Sequence, residues 1–96
     1  MKITRKHLKI KGKVQGVGYR QSALILAQKL EIKGWVKNTH EGEVEIIAEG
    51  AATRVSVFVE WCHEGPRHSV VTEVVVLDSK EITHFEFQDF TIQKTS

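Results

Sequence analysis

The sequence has few of the residues that mark several large classes of protein. Its 96 residues include one cysteine, Cys62, so an internal disulfide and a cysteine metal cluster are excluded. No internal repeat, low-complexity tract or linker is visible, and the single proline, Pro66, indicates a turn or loop in HEGPRH. No apolar run is long enough for a signal peptide or a membrane span. We therefore expect one domain over residues 1–96, cytoplasmic and without a membrane partner.

The charge of the chain is close to balanced. Fourteen Lys and Arg residues against twelve Asp and Glu residues leave a formal net charge of +2, too small to indicate nucleic acid binding. The five histidines are scattered without the spacing of metal ligands, so they predict no metal site. His40, which follows closely after Asn38, is interpreted as a hairpin residue.

Hydrophobic periodicity predicts five strands and two helices. Strand patterns run through HLKIKGKV, the two halves of GWVKNTHEGEVEIIAEG, SVVTEVVVLDS and HFEFQDFTIQ. The final strand would hold Phe85, Phe87, Phe90 and Ile92, with a register break near Gln88 or Asp89. The segment QSALILAQKLEIK has apolar residues three and four apart and predicts a helix. AATRVSVFVEWCHEG fits both a strand and a helix, and its length favours a helix.

The order β, α, β, β, α, β, β predicts an α+β fold of the ferredoxin-like, split βαβ type. This fold is a sandwich of a mostly antiparallel sheet with two helices on one face. Right-handed crossovers place both helices on the same face. The first and third strands then become central neighbours, and the second strand lies at the edge of the sheet. The loop after the first strand then lies at one end of the central strands, next to the N-terminus of the first helix.

That loop lies in KGKVQGVGYR, which contains three glycines and ends in Arg20. Glycines allow successive backbone N–H groups to point at one centre, and a following helix adds its unpaired N–H groups. The guanidinium of Arg20 adds charged donors that match phosphate or carboxylate oxygens. The segment therefore predicts a phosphate site that needs no metal. It lacks the Lys-Ser/Thr ending of a P-loop, so nucleotide hydrolysis fits poorly.

Two segments resemble the signatures of the acylphosphatase family. IKGKVQGVGYR is similar to Gly-x-Val-Gln-Gly-Val followed by an aromatic residue and arginine. GWVKNTHEGEVEIIAEG is similar to Gly-aromatic-Val-Lys-Asn, followed by Gly-x-Val and a final glycine. WCHEGPRHSVVTEV also resembles the family's segment between the second helix and the next strand. The resemblance covers nearly the whole chain.

The resemblance implies an enzyme that hydrolyses acyl phosphates to a carboxylate and inorganic phosphate, with no cofactor and no metal. The phosphoryl group would be bound by Arg20 and the backbone amides of Gln15, Gly16, Val17, Gly18, Tyr19 and Arg20. Asn38 would hold the attacking water; its amide both donates and accepts hydrogen bonds but is a poor base. The implied partners are a small acyl phosphate and inorganic phosphate as a product inhibitor. The protein is expected to be a monomer that binds no nucleic acid.

Two alternatives stay open at this point. One is a non-catalytic module that binds phosphate or RNA on the same scaffold, although HLKIKGKV and EVEIIAE lack the aromatics that stack RNA bases. The other is a carbamoyl-phosphate-handling domain of a larger enzyme, because such domains share these signatures. The length of the chain argues against that second alternative.

The sequence also predicts the surroundings of several other residues. Tyr19 stands where the family usually has phenylalanine or methionine, and its hydroxyl needs a partner if the ring is buried. Glu31 stands where many relatives have glycine at the end of the first helix, and a left-handed conformation would cost it about 1 kcal/mol. Cys62 is expected in the core. Three acids at alternate positions are expected on a solvated strand face: Glu43, Glu45 and Glu49.

Overall fold

The computed structural model describes residues 2–96, which form one five-stranded sheet and two helices. The elements are β1 (Ile3–Lys13), α1 (Tyr19–Lys29), β2 (Lys33–Asn38), β3 (Val44–Gly50), α2 (Ala52–Glu64), β4 (Val70–Ile82) and β5 (Phe90–Ile92). The strand order is β4-β1-β3-β2-β5, and every pairing is antiparallel except β2 with β5. The predicted ferredoxin-like α+β fold is confirmed, with β1 and β3 as central neighbours. Over residues 2–96, neither helix has the length and apolarity to cross a membrane.

The position of β2 differs from the prediction. We expected β2 at the edge of the sheet, but β5 pairs with its outer side in parallel, with Val36 opposite Ile92. The backbone of the last residues extends this pairing, because Gln93 N–H donates to the carbonyl of Val36. The final strand pattern could not reveal this neighbour, since a pairing partner depends on long-range topology. As a result, β5 lies along the outer side of the end of β2.

The hydrophobic core lies between the helices and one face of the sheet. Alternate residues of β1, β2 and β3 face the helices and are fully buried, among them Leu8, Ile10, Val36, Val44, Ile46 and Ala48. The ambiguous segment is a helix, as predicted, and α2 buries Val55, Phe58 and Cys62 at helical spacing. Val57 lies on the exposed face, so burial in this segment follows the helix period and not the alternation of a strand.

The first helix ends earlier than the predicted segment, which ran to Lys33. After Lys29 the chain turns, and Glu31 adopts a left-handed conformation with φ of 56°. The Ile32 N–H donates to the Ala27 carbonyl and the Glu31 N–H donates to the Gln28 carbonyl. These two bonds form a Schellman motif, which ends a helix and redirects the chain. The expected left-handed Glu31 is therefore confirmed, and Lys33 begins β2.

The segment between β4 and β5 also differs from the prediction. Residues 83–89, here called the crossing segment, do not belong to a strand, so Phe85 and Phe87 lie outside β5. The segment joins the two edges of the sheet on the face opposite the helices. There the Phe87 ring lies 5.9 Å from the Arg5 guanidinium carbon and the Phe85 ring lies 5.1 Å from Lys33 Nζ. These contacts with the sheet replace the strand pairing that alternation suggested.

The crossing segment buries one of the three acids that we expected to be solvated. The Glu49 side chain is fully buried, and its Oε1 accepts a hydrogen bond from the Glu86 N–H at 2.9 Å. Its Oε2 lies 3.6 Å from Arg5 Nε, across the β1–β3 pairing. Glu43 and Glu45 remain partly exposed and pair with lysines, as a solvated strand face predicts. The expectation was thus wrong for Glu49, which the crossing segment covers.

Candidate active site

The glycine loop, residues 15–20, connects the end of β1 to the first turn of α1. Gly16 has φ of 74° and Gly18 has φ of 80°, both in the left-handed region that favours glycine. Gly18 is the N-cap of α1 and provides no side-chain cap, and the first turn contains no acidic residue. Within residues 2–96, no backbone hydrogen bond outside the regular elements uses the N–H groups of residues 16–20. The loop therefore presents a set of free donors at the positive end of a helix.

These donors border a cleft of about 240 Å³ between the glycine loop, β2 and β5. Its lining consists of Val14, Gly16, Gly18, Tyr19, Arg20, Gln21, Asn38 and Ile92. Among the described residues that form this lining, Arg20 is the single charged one and none carries a carboxylate. Arg20 also takes part in none of the ion pairs found among residues 2–96. A cleft with one unpaired cation and free N–H groups is suited to bind an anion.

Asn38 reaches the cleft from the last position of β2. The sheet register places Asn38 opposite Val44 and Val44 opposite Ile10, so the side chain follows the helix-facing row of the sheet. Asn38 is 9% exposed, and its Oδ1 is buried without a hydrogen-bond partner from residues 2–96. A buried unpartnered acceptor is costly unless a ligand or water donates to it. This oxygen can therefore receive a hydrogen bond from a molecule held in the cleft.

The structure brings together most of the residues proposed from the sequence. Gly16, Gly18, Tyr19 and Arg20 line the same cleft as Asn38. Val17 is not part of that lining and packs against the hydrophobic core. Gln15 is also outside the lining, and its side-chain amide donates to the carbonyls of Thr39 and Glu43. His40 is exposed and does not line the cleft.

Three lining residues were missed by sequence reasoning: Val14, Gln21 and Ile92. Val14 and Gln21 flank the glycine loop, so their proximity to Arg20 could have indicated them. Ile92 is far from the loop in sequence and enters the cleft through the parallel pairing of β5 with β2. Among residues 2–96, no three or more His, Cys, Asp or Glu side chains are grouped in a way that could hold a metal ion.

The buried ring of Tyr19 fixes the start of α1 against the end of α2. Its hydroxyl donates to the Cys62 carbonyl at 2.8 Å, and its ring lies 5.1 Å from the Trp61 ring. In a longer helix the N–H of residue 66 would bond to that carbonyl, but Pro66 has no N–H. The expected partner for the Tyr19 hydroxyl is thus found. Burial raises the pKa of Tyr19 above its ordinary value, and the nearby Cys62 raises it further.

The fold and the cleft together place this chain among small α+β domains, with a cleft at one end of the sheet that is suited to bind an anion. The family model described as acylphosphatase matches residues 6–92 of this chain. A protein named acylphosphatase from Marinobacter nauticus is 47% identical over 90 residues, which cover 94% of this chain and 96% of the relative. The chain belongs to the acylphosphatase family.

Solved structures agree with this membership. The structure of an acylphosphatase from Coxiella burnetii has a TM-score of 0.83 and 36% identity, covering 95% of this chain and 93% of that one. The crystal structure of acylphosphatase from Bacillus subtilis also has a TM-score of 0.83, with 35% identity over 94% of this chain and 98% of that one. The resemblance stated from the sequence is confirmed. These comparisons give no support to the binding-module or carbamoyl-phosphate alternatives.

Proposed function

We propose that the protein is a hydrolase that cleaves acyl phosphates to a carboxylate and inorganic phosphate. Arg20 and the N–H groups of the glycine loop bind the phosphoryl oxygens, and Asn38 orients the attacking water. The observation that carries this proposal is the shared cleft of Arg20 and Asn38, where Asn38 Oδ1 is buried without a hydrogen-bond partner among residues 2–96. A phosphoryl group bound by the loop and a water bound by Asn38 would lie side by side.

The chemistry needs little more than these groups. Phosphoryl transfer depends mainly on positioning and on stabilising the charge of the transferring group, which donors fixed before the reaction supply. The water oxygen forms a new bond to phosphorus while the bond from phosphorus to the carboxyl oxygen breaks. The electron pair of that bond leaves with the carboxylate, and the two protons of the water remain on oxygens of the phosphate product. A carboxylate is a good leaving group, so the absence of Asp, Glu, His and Lys from the described lining is no obstacle.

Asn38 acts by hydrogen bonding rather than by taking the proton. Its neutral amide accepts one hydrogen bond from the water through Oδ1, which fixes the direction of the water's lone pair. Holding reactants in the attacking geometry removes much of the entropic part of a barrier. This role accounts for a buried acceptor that no other group among residues 2–96 satisfies.

We further propose that residues 1–96 act as a single domain, as a cytoplasmic monomer. Its substrate is a small molecule, and inorganic phosphate inhibits it as a product that occupies the same donors. One cation in the lining and a cleft of about 240 Å³ support a substrate with a single phosphoryl group. The modest net charge of +2 supports the absence of a nucleic acid partner.

The test is hydrolysis of a synthetic aryl acyl phosphate. We expect turnover that a metal chelator leaves unchanged and that inorganic phosphate inhibits competitively. An aryl phosphate monoester is the matched control, because its phenolate is a poorer leaving group and the lining holds no acid to protonate it; we expect little turnover. No turnover of the acyl phosphate by folded protein would contradict the proposal and would favour a binding module.

A further inference from the structure

The Gln15 side chain connects the glycine loop to the segment that follows Asn38. Its Nε2 donates to the Thr39 carbonyl at 2.9 Å and to the Glu43 carbonyl at 2.8 Å. Both N–H groups of the amide are therefore used. Thr39 and Glu43 are the first and last residues of the β2–β3 connection, residues 39–43. Gln15 thus binds both ends of one turn from the first position of the glycine loop.

The β2–β3 connection is itself closed by hydrogen bonds. The Thr39 N–H donates to the Glu43 carbonyl at 2.8 Å, and the Glu43 N–H donates to Thr39 Oγ1 at 3.1 Å. The Gly42 N–H donates to the Thr39 carbonyl at 3.3 Å. Thr39 is 4% exposed, so this turn is held in place as well as closed. Gln15 is therefore bound to a hydrogen-bonded turn, and Asn38 directly precedes that turn.

No other hydrogen bond within residues 2–96 links the glycine loop to residues 38–43. The β1–β3 ladder, which could otherwise fix the distance between them, ends at the pairing of Ile10 with Val44. Beyond that pair, the Gln15 amide supplies the hydrogen bonds between the two halves of the cleft, and Lys11 adds an ion pair with Glu43 at 3.9 Å. Glutamine fits this task because it carries two donors on one planar group, whereas leucine has none and ionised glutamate only accepts.

We propose that Gln15 is a positioning residue that sets the distance between the phosphate-binding donors and Asn38. This proposal rests on the proposed function. The Gln15 side chain is outside the cleft lining and acts through the β2–β3 connection and Asn38. An error of about 1 Å in the position of a catalytic group can lower a rate by about 10²-fold. Loss of the two hydrogen bonds is therefore expected to lower turnover while leaving the phosphate donors themselves intact.

The first experiment compares Gln15→Leu with the wild-type protein by kcat and by the Ki of inorganic phosphate. We expect kcat to fall by about 10-fold to 10²-fold while Ki changes by less than about threefold, since Arg20 and the loop N–H groups remain. Gln28→Leu is the matched control, because Gln28 is exposed on α1 far from the cleft. Circular dichroism and thermal unfolding check that all variants are folded at the assay temperature.

A double-mutant cycle with Asn38→Ala separates positioning from a general structural role. If Gln15 acts through Asn38, then Gln15→Leu lowers kcat little once the Asn38 amide is absent. A full additional loss in the Asn38→Ala background would overturn the proposal, as would an unchanged kcat in Gln15→Leu alone. A rise in Ki as large as the fall in kcat would also overturn it.

A readout without turnover distinguishes this proposal from the proposed function. Titration of inorganic phosphate shifts the NMR signals of the Asn38 side-chain amide if Asn38 is held beside the bound anion. We expect this shift in the wild-type protein and its loss in Gln15→Leu, with phosphate still bound in both. If the wild-type protein binds phosphate but does not turn over acyl phosphates, the proposed function fails alone. An equal Asn38 shift in both proteins would refute the role of Gln15.

Discussion

At the scale of single residues, Arg20 and Asn38 are expected to contribute differently to the reaction. Arg20 supplies the one fixed charge of the cleft lining, so Arg20→Ala should nearly abolish both phosphate binding and turnover. In the proposed mechanism, Asn38 contacts the water instead of the phosphoryl group. Asn38→Ala should therefore lower kcat by about 10²-fold or more while the Ki of inorganic phosphate stays near the wild-type value.

Steady-state kinetics with an aryl acyl phosphate and inhibition by inorganic phosphate check this contrast. Arg67→Ala is a suitable control, because Arg67 is an exposed arginine in the turn before β4 and does not line the cleft. Its kinetic constants should match those of the wild-type protein. Near-normal turnover by Arg20→Ala, or equal losses of kcat and phosphate affinity in Asn38→Ala, would contradict the assigned roles.

The sequence was sufficient to propose Arg20 and Asn38 but not the whole lining of the cleft. Both residues lie in short contiguous segments whose chemistry and spacing are visible in the letters alone. Ile92 was missed because its place depends on β5 pairing in parallel with β2, which no local pattern encodes. The Gln15 side chain was missed as a contact for the same reason, since its partners are 24 and 28 residues away.

At the scale of elements, the end of α1 contains a residue that is poorly suited to its backbone conformation. Glu31 occupies the left-handed position of a Schellman motif with φ of 56°. Its side chain is 75% exposed and pairs with Arg54, and an exposed ion pair contributes little to stability. Glycine has no Cβ penalty in this conformation. Glu31→Gly should therefore raise the free energy of unfolding by about 0.5 to 1 kcal/mol.

Urea and thermal unfolding of three proteins test this expectation. Glu31→Ala is the control, because it removes the pair with Arg54 but keeps a Cβ in the left-handed conformation. The expected order of stability places Glu31→Gly above the wild type and Glu31→Ala at or slightly below it. A Glu31→Gly variant less stable than the wild type would contradict this expectation and would mean that the ion pair with Arg54 outweighs the backbone strain.

Element order was predictable because each helix and strand has its own period of apolar residues. The choice of helix for α2 is an example, since Val55, Phe58 and Cys62 fall on one buried face. The crossing segment was not predictable in this way. Its phenylalanines alternate like a strand, yet their partners are Arg5 and Lys33 side chains on the sheet. The same long-range cover buries Glu49, whose alternation with Glu43 and Glu45 indicated a solvated face.

At the scale of the whole molecule, the buried pair of Tyr19 and Cys62 connects the two helices and makes the free energy of unfolding depend on pH in the alkaline range. The Tyr19 hydroxyl, at the start of α1, donates to the Cys62 carbonyl near the end of α2. Burial raises the pKa of Tyr19, and burial also raises the pKa of the Cys62 thiol to about 12. Both groups are neutral when protonated, so the folded protein retains protons that the unfolded chain releases.

The sign of the pH dependence follows from these shifts. In the unfolded chain the thiol has a pKa of about 8.5 and the phenol about 10, and both are lower than in the folded protein. Their contribution to stability is therefore complete below about pH 8.5 and is lost as pH rises toward the folded pKa values. Each group that stays protonated only in the folded state lowers stability by about 1.4 kcal/mol per pH unit.

Tyr19→Phe separates the two effects of this pair. At pH 7 the variant leaves the Cys62 carbonyl without its donor, so we expect it to be less stable than the wild type by about 1 to 3 kcal/mol. Above about pH 10 the stability of the variant should fall less steeply with pH than that of the wild type. The variant lacks the Tyr19 phenol, whereas all other titrating groups, lysines included, are the same in both proteins. The difference between the two proteins should therefore shrink as pH rises.

Urea unfolding from pH 7 to strongly alkaline pH measures both slopes. Tyr19 is the one tyrosine of the chain, so tyrosinate absorbance reports its titration directly in the wild-type protein. That absorbance should appear together with unfolding and not before it, since the phenol stays protonated while it is buried against α2. Two results would contradict this expectation: parallel stability curves for the two proteins, or tyrosinate formation in the folded state near pH 10. Either result would show that the hydroxyl is accessible to solvent. The connection between the helices would then be looser than the Tyr19–Cys62 hydrogen bond indicates.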